Sequence, residues 1–236
     1  MPQAVFSATI FDFNGVLVDD EPVHLEAFRE ALAPRGITVT DQAYLERYFG
    51  FDDAGAFRAM IADAGQSASD ADIAALVDAK RPLYMRRVEQ ALRIFPGAAD
   101  VVRRCAAAGP VAIVSGAPRD EIVHALRLMG VENHVQFIVS AEDTTRCKPD
   151  PEGYEIAIAR LTGKPRGRMH ALVIEDSLHG VEAAKHAHLS CLAVAHSYPE
   201  ADLYASGADL VIGHIGDLSN EVIAAVERRA LASNEK

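Results

Sequence analysis

Short apolar runs alternate with longer amphipathic stretches from about residue 93 to the end of the chain. The runs are VAIVS at 111–115, FIVS at 137–140, ALVIE at 171–175, CLAVA at 191–195 and LVI at 210–212. Between them, apolar residues recur at helical spacing, and prolines or glycines lie near the ends of the stretches. This alternation is typical of βαβ units on a parallel sheet. The predicted fold class is therefore α/β, a doubly wound and mostly parallel sheet with helices on both faces.

Residues 21 to about 92 interrupt this alternation. They contain no convincing β-rich run but several alanine-rich helical stretches, among them HLEAFREALA and AFRAMIADA. We predict a helical domain, residues 19–92, inserted into a core formed by residues 1–18 and 93–236. The joints would lie at 18–21 and at RIFPGA, 93–98, where proline and glycine interrupt regular structure.

Composition and charge limit the possible partners. Half of the 236 residues are hydrophobic, which is enough for a full core, and the formal net charge is −11. The arginine pairs are scattered, which argues against nucleic acid or an anionic membrane. No run approaches the roughly 18 apolar residues of a membrane span, and Cys105, Cys147 and Cys191 have no metal-ligand spacing. We expect a cytoplasmic monomer with reduced thiols and a small-molecule partner.

Polar residues follow strands or strand-like runs at four places. They are Asp12 with Asn14, Ser115 with Gly116, Lys148 in CKPDP, and Glu175 with Asp176. In an open parallel sheet, ligands bind beyond the carboxyl ends of the strands, so these groups are expected to converge. An aspartate nucleophile, a hydroxyl, a lysine and an acidic pair together suit phosphoryl transfer.

Each group also has an ordinary structural explanation. Asp12 could simply end a strand, Ser115 could belong to a turn, and Asp176 could cap the helix that follows it. Lys148 is harder to explain locally, because it precedes a probable helix start at 150–152. The positive end of a helix dipole disfavours a nearby cation unless an anion compensates.

The order and context of these motifs resemble the haloacid dehalogenase superfamily, most closely its helical-cap phosphatase and β-phosphoglucomutase-like branch. FDFNGVLVDDEPVH is similar to the first motif of that family, VSGAP to the second, KPDP to the third and VIEDSLHGVEAAK to the fourth. The helical insertion lies where this branch carries its cap. The resemblance covers almost the whole chain, and it implies a Mg²⁺-dependent phosphohydrolase acting on a small phosphorylated metabolite.

The resemblance also implies roles for the residues at the strand ends. Asp12 would attack phosphorus and become an aspartyl-phosphate. Mg²⁺ would be held by the carboxylates of Asp12 and Asp176 and by the backbone carbonyl of Asn14, with Glu175 supporting it through water.

The remaining matches concern the phosphate and the cap. Ser115 and the amide of Gly116 would hydrogen-bond phosphoryl oxygens, and Lys148 would neutralise negative charge. His24 has the spacing of a family residue after the first motif, and Lys80 resembles a cap lysine that faces substrate. Each of these two could equally be an ordinary packed or solvated side chain.

The cap loop at 50–57 departs from the family pattern. It carries Asp52 and Asp53 where sugar-phosphate mutases offer an arginine to a second phosphate. Two carboxylates there would repel a dianion. A phosphotransferase or sugar phosphomutase is therefore an alternative that this loop disfavours.

Asn14 is the main departure within the motifs. The family usually has an aspartate there that protonates the leaving group and then activates water, and such acid–base help contributes roughly 10²–10⁴ in rate. An amide cannot transfer that proton. Three interpretations stay open: an engineered Asp-to-Asn change, a natural enzyme with slow or differently assisted turnover, and a non-hydrolytic module that binds a phosphate ester. Asp20, Glu21 or His24 could supply a proton through water.

Two other activities of the superfamily fit less well. Dehalogenation would tolerate Asn14 but needs no metal, whereas the pair Glu175 and Asp176 indicates one. Phosphonate cleavage needs a cap lysine soon after the first motif, and no lysine precedes Lys80 in this sequence.

Overall fold

The computed structural model describes residues 6–49, 51–164 and 169–234. In chain order the strands are β1 (Ala8–Phe11), β2 (Val18–Asp19), β3 (Arg93–Ile94), β4 (Val111–Val114), β5 (Phe137–Val139), β6 (Ala171–Glu175), β7 (Ser190–Val194) and β8 (Leu210–Ile212). The helices are α1 (Glu21–Leu32), α2 (Asp41–Arg47), α3 (Asp53–Asp63), α4 (Asp70–Ala91), α5 (Ala98–Ala108), α6 (Arg119–Leu128), α7 (Glu152–Thr162), α8 (Leu178–His186), α9 (Glu200–Ala205) and α10 (Asn220–Asn234). The chain divides into two compact units, residues 1–19 with 94–236 and residues 20–93.

The first unit is built on a six-stranded sheet of order β5-β4-β1-β6-β7-β8. Neighbouring strands in this sheet are parallel, and Ile10 of β1 lies opposite Ala112 of β4 and Val173 of β6. The strands are mostly apolar, as expected for parallel strands covered on both faces, and all five residues of ALVIE are buried. The predicted doubly wound, mostly parallel sheet is confirmed.

Helices of the same unit pack directly on this sheet. α5 contacts β1 and β4, α7 contacts β4 and β5, and α8 contacts β6 and β7. α8 begins after Ser177, whose hydroxyl accepts a hydrogen bond from the Gly180 amide at 3.0 Å. These contacts bury apolar side chains of the helices against the strands and hold the strand ends in place.

The second unit contains α1 to α4. Its core is formed by apolar side chains that include Phe28, Phe57, Met60 and Ile73. Side-chain caps mark the starts of α3 and α4: the Asp52 carboxylate accepts from the Gly55 amide, and Ser69 forms a capping box with Asp72. The predicted helical insertion is confirmed. None of the described helices has the length and apolar character needed to cross a bilayer.

Candidate active site

Three neighbouring strands bring the predicted site residues to one edge of the sheet. β1 lies between β4 and β6, and all three run in the same direction. Asp12 follows β1 and its amide donates to the Ile174 carbonyl at 2.9 Å, while the Ser115 amide after β4 donates to the Val139 carbonyl at 3.0 Å. Glu175 is the last residue of β6. Residues far apart in sequence therefore follow the same ends of adjacent strands.

Lys148 joins two of these strand ends. Its Nζ donates to Asp12 Oδ1 at 2.6 Å and to Glu175 Oε1 at 2.5 Å, with a longer contact of 3.3 Å to the Val114 carbonyl. Burial lowers the pKa of Lys148, but the two carboxylates outweigh it and the net shift is upward. Lys148 is therefore a fixed ammonium between two acids.

The three acids at this edge differ in how firmly they hold a proton. Burial raises the pKa of Asp12 to about 7 although Lys148 opposes the shift. Burial and the charges of Glu175 and Asp12 raise the pKa of Asp176 well above its usual range. Burial also tends to raise the pKa of Glu175, but the charge and hydrogen bond of Lys148 outweigh it, and the net shift is downward.

The same acids have the chemistry of a metal site. Among the described residues, Asp12, Glu175 and Asp176 offer carboxylate oxygens within 4.8 Å of one another, and all three residues are buried. Buried carboxylates that repel one another are stabilised by a cation, and oxygen donors suit hard divalent ions. The donor set therefore fits a divalent metal.

Two glycines allow this crowding. Gly15 has φ +74, and a Cβ there would lie 1.9 Å from Asp176 Oδ2. A Cβ on Gly180 in α8 would lie 1.9 Å from Glu175 Oε1. The acids are thus packed directly against backbone, and a side chain at either position would displace them.

The other predicted residues of this unit lie in the same loops. Asn14 is partly buried two residues after Asp12, and its backbone bridges to Val18. Ser115 is buried, and its hydroxyl accepts a hydrogen bond from the Ala117 amide at 3.2 Å. Gly116 is exposed beside it.

Three further side chains contact the site and were not found from the sequence. The Tyr154 hydroxyl donates to Glu175 Oε1 at 2.8 Å, and the Ser197 hydroxyl donates to Asp176 Oδ2. His196 contacts the Gly15 carbonyl. Ser197 and His196 follow β7, so extending the strand-end argument to β7 would have found them, whereas nothing local in the sequence marks Tyr154.

The second unit contains its own buried polar cluster. Lys80, 1% exposed, lies with Nζ 2.7 Å from His24 Nδ1, and it forms an ion pair with Asp53. His24 Nε2 is 2.9 Å from Asp20 Oδ2, which also accepts from the Tyr84 hydroxyl at 2.8 Å. His24 and Lys80 are therefore brought together, and Lys80 is buried and paired, so it is not a solvated surface lysine. Their contact with substrate stays a prediction.

The pKa values of Asp20 and His24 are set by burial and by their mutual contact. Burial raises the pKa of Asp20, but His24 outweighs it and the net shift is downward. Burial lowers the pKa of His24, but Asp20 outweighs it and the net shift is upward. Asp20 is therefore an anion and a poor acid, whereas His24 gains proton affinity.

The parallel sheet and the acid–lysine cluster at its strand ends define an α/β protein with a candidate phosphoryl-transfer site. The family of haloacid dehalogenase-like hydrolases matches residues 6–188. The chain therefore belongs to the haloacid dehalogenase-like hydrolases, as its motifs predict.

Curated relatives agree with this membership. Validoxylamine A 7'-phosphate phosphatase of Streptomyces hygroscopicus subsp. limoneus is 27% identical over 216 residues, which cover 84% of this chain and 92% of that protein. Protein SUPPRESSOR OF QUENCHING 1, chloroplastic, of Arabidopsis thaliana is 29% identical over 223 residues, 92% of this chain but only 20% of that much longer protein. The family and its phosphatase-named relatives identify the chain as an enzyme of the phosphatase type.

A solved structure shows the same fold. CbbY from Rhodobacter sphaeroides, determined in complex with phosphate, superimposes with a TM-score of 0.76 at 23% identity. The match covers 94% of this chain and 99% of that one. At this identity the likeness concerns the fold alone.

Proposed function

We propose that this protein is a Mg²⁺-dependent phosphohydrolase that releases phosphate from a small phosphorylated metabolite through an aspartyl-phosphate on Asp12. The observation that carries the proposal is the contact of Asp12 with Lys148 inside the acidic cluster. The relative named for validoxylamine A 7'-phosphate supports a small phosphorylated substrate.

Asp12 is suited to attack phosphorus. Lys148 holds Oδ1 at 2.6 Å, which orients the carboxylate. In the first step an Asp12 oxygen bonds to phosphorus while the ester P–O bond breaks, and the leaving alkoxide takes a proton. In the second step water attacks the same phosphorus, the bond from Asp12 breaks, and phosphate leaves while Asp12 returns as a carboxylate.

The rest of the cluster stabilises negative charge. Asp12, Asp176 and the Asn14 carbonyl would hold Mg²⁺, and Glu175 would support it. When bound, Mg²⁺ supplies positive charge that stabilises the phosphoryl oxygens. Lys148 neutralises charge beside Asp12, as expected for electrostatic catalysis.

The phosphoryl group would lie beyond the end of β4. Ser115 and the amide of Gly116 follow that strand, and we assign them the binding of phosphoryl oxygens by hydrogen bonds. Neither residue carries charge, so their contribution is mainly to position the group for in-line attack.

Asn14 makes turnover slow. Its amide can donate a hydrogen bond to the leaving oxygen but cannot give up a proton, so the leaving alkoxide draws a proton from water. The same residue favours one alternative, a module that binds phosphate esters without hydrolysing them. The two functions differ in turnover: slow phosphate release that depends on Mg²⁺ supports the enzyme.

The test is a screen of phosphorylated metabolites for phosphate release with Mg²⁺ and with chelator. Intact-mass measurement after mixing with acetyl phosphate and Mg²⁺ would detect a covalent phosphoryl adduct, and peptide mapping would place it on Asp12. Release from at least one ester together with this adduct supports the proposal. Binding of esters with neither release nor adduct would favour the binding module.

A further inference from the structure

His196 links three segments of the first unit. It lies two residues beyond the end of β7, and its Nδ1 is 2.7 Å from the Gly15 carbonyl oxygen. Its Nε2 is 3.4 Å from the Ile215 amide nitrogen. The ring stacks on Phe95 with centroids 3.8 Å apart and planes 21° from parallel. Both ring nitrogens and one face of the imidazole therefore have partners.

These contacts determine where the imidazole carries its proton. The Gly15 carbonyl can only accept a hydrogen bond, so Nδ1 must carry the hydrogen. The Ile215 amide can only donate, so Nε2 must present a lone pair. The neutral Nδ1–H tautomer satisfies both partners at once. Burial lowers the pKa of His196 and favours this same neutral form.

The carbonyl that His196 holds belongs to the backbone packed against the acidic cluster. Gly15 directly follows Asn14, and a Cβ on Gly15 would lie 1.9 Å from Asp176 Oδ2. The Gly15 amide donates to the Val18 carbonyl at 2.8 Å. Gly15 is thus held at its amide by the turn and at its carbonyl by His196, with Asp176 against its α carbon.

Ser197, the residue after His196, contacts Asp176 on the other side of this approach. Ser197 donates its hydroxyl to Asp176 Oδ2. Two consecutive side chains after β7 therefore hold two groups that lie against each other. His196 holds the backbone beside Asn14, and Ser197 holds the carboxylate of Asp176.

We infer that His196 is a positioning residue that sets the Asn14 carbonyl relative to Asp176, and so sets the affinity for the divalent cation. The inference rests on the proposed function, because the ligand role of Asn14 belongs to that proposal. His196 acts through the Gly15 peptide and is not itself one of the proposed ligands. Loss of such outer contacts typically costs 10- to 100-fold in metal affinity.

The experiment compares Mg²⁺ binding of the free protein by calorimetry across a set of variants. His196→Phe keeps a ring on Phe95 but removes both hydrogen bonds, and we expect the Kd for Mg²⁺ to rise about tenfold. His196→Asn places an amide N–H near the position of Nδ1, and we expect it to recover most of the affinity. The matched control His134→Phe alters an exposed histidine that precedes β5, and it should leave the Kd unchanged.

Thermal unfolding in chelator shows whether each variant is folded. A folded His196→Phe with a Kd within twofold of the unsubstituted protein overturns the inference. If that variant does not fold, the histidine tautomer decides: ¹⁵N NMR of the unsubstituted protein should show Nδ1–H at His196, and an Nε2–H tautomer overturns the inference. Absence of Mg²⁺ binding by the unsubstituted protein would instead contradict the proposed function, and the inference with it.

Discussion

Lys148 Nζ donates to Asp12 Oδ1 at 2.6 Å across 136 residues of sequence. The same ammonium reaches Glu175 Oε1 at 2.5 Å. A lysine held between two buried acids keeps its proton, so it provides a permanent positive charge beside the proposed nucleophile. Through these two contacts, charged residues from the first, third and fourth sequence motifs interact directly.

Replacing Asp12 by Ala should abolish phosphate release. Asp12 is the acid that Lys148 orients at the end of β1, and no other described carboxylate has that combination of contacts. We expect a loss of roughly 10⁴-fold or more in kcat, and no covalent adduct by intact mass. Asp202→Ala, an exposed aspartate of α9, is the matched control and should change neither. Release near the starting rate in Asp12→Ala would rule out Asp12 as nucleophile.

Replacing Asp176 by Ala should weaken Mg²⁺ binding sharply. Only two carboxylates, Asp12 and Asp176, are proposed as direct ligands, so the change removes half of the direct charge. We expect the Mg²⁺ concentration for half-maximal activity, and the calorimetric Kd, to rise on the order of 100-fold. An unchanged Kd would exclude Asp176 as a ligand.

Replacing Asn14 by Asp should increase turnover with little change in ground-state binding. The aspartate restores a group that can protonate the leaving oxygen and later activate water. The expected gain in kcat is about 10²-fold or more if leaving-group protonation limits the rate, and smaller if another group already supplies the proton. The lifetime of the aspartyl-phosphate, followed by intact mass, should shorten in parallel.

Asn133→Asp adds the same charge at an exposed position and serves as the control for this comparison. It should leave turnover and lifetime unchanged. If Asn14→Asp neither speeds release from any ester nor shortens the lifetime, the proton-transfer account is wrong and the binding module becomes the better interpretation.

Without metal, the protein should lose stability as the pH rises from about 5 to about 7. The pKa of Asp12 is raised from 3.8 to about 7, and that of Asp176 is also raised. Through these two groups the folded state binds more protons than the unfolded state. Acids with lowered pKa, such as Asp143 and Glu175, act the opposite way but mainly below about pH 5, so above it the free energy of unfolding falls with pH. The measurement is Tm against pH in chelator, where we expect a fall of several degrees.

Two comparisons isolate the cause of that fall. Asp176→Asn removes one of the two raised groups and should flatten the curve, whereas Asp202→Asn should not. Added Mg²⁺ should restore stability at pH 7, because the cation compensates the ionised acids. The same Tm profile from pH 5 to 7 in Asp176→Asn and in the unsubstituted protein would contradict the raised pKa of Asp176.

The sequence by itself determined the sheet and the elements that end at the site. Continuous apolar runs such as ALVIE predict buried parallel strands, and parallel strands place their carboxyl ends along one edge. Asp12, Ser115 and Glu175 each follow or end such a run, so their convergence could be predicted without coordinates. The four motifs likewise indicated the family, because their residue types and order depend on local sequence.

The tertiary structure alone decided which side chains support that edge and how strongly the acids hold protons. Tyr154 bonds Glu175 from a helix, and His196 and Ser197 reach Gly15 and Asp176 from the loop after β7. Hydrogen bonds between residues distant in sequence produce no periodic pattern in the sequence, so they could not be predicted from it.

Lys80 makes the same point within the helical unit. The sequence leaves open whether Lys80 faces substrate or solvent, whereas packing buries it against Phe28, 4.0 Å from the ring centroid, and pairs it with Asp53. The pKa of Asp12 is raised for a related reason: burial and neighbouring charge depend on how the packed chain excludes water, and a linear sequence does not specify that exclusion.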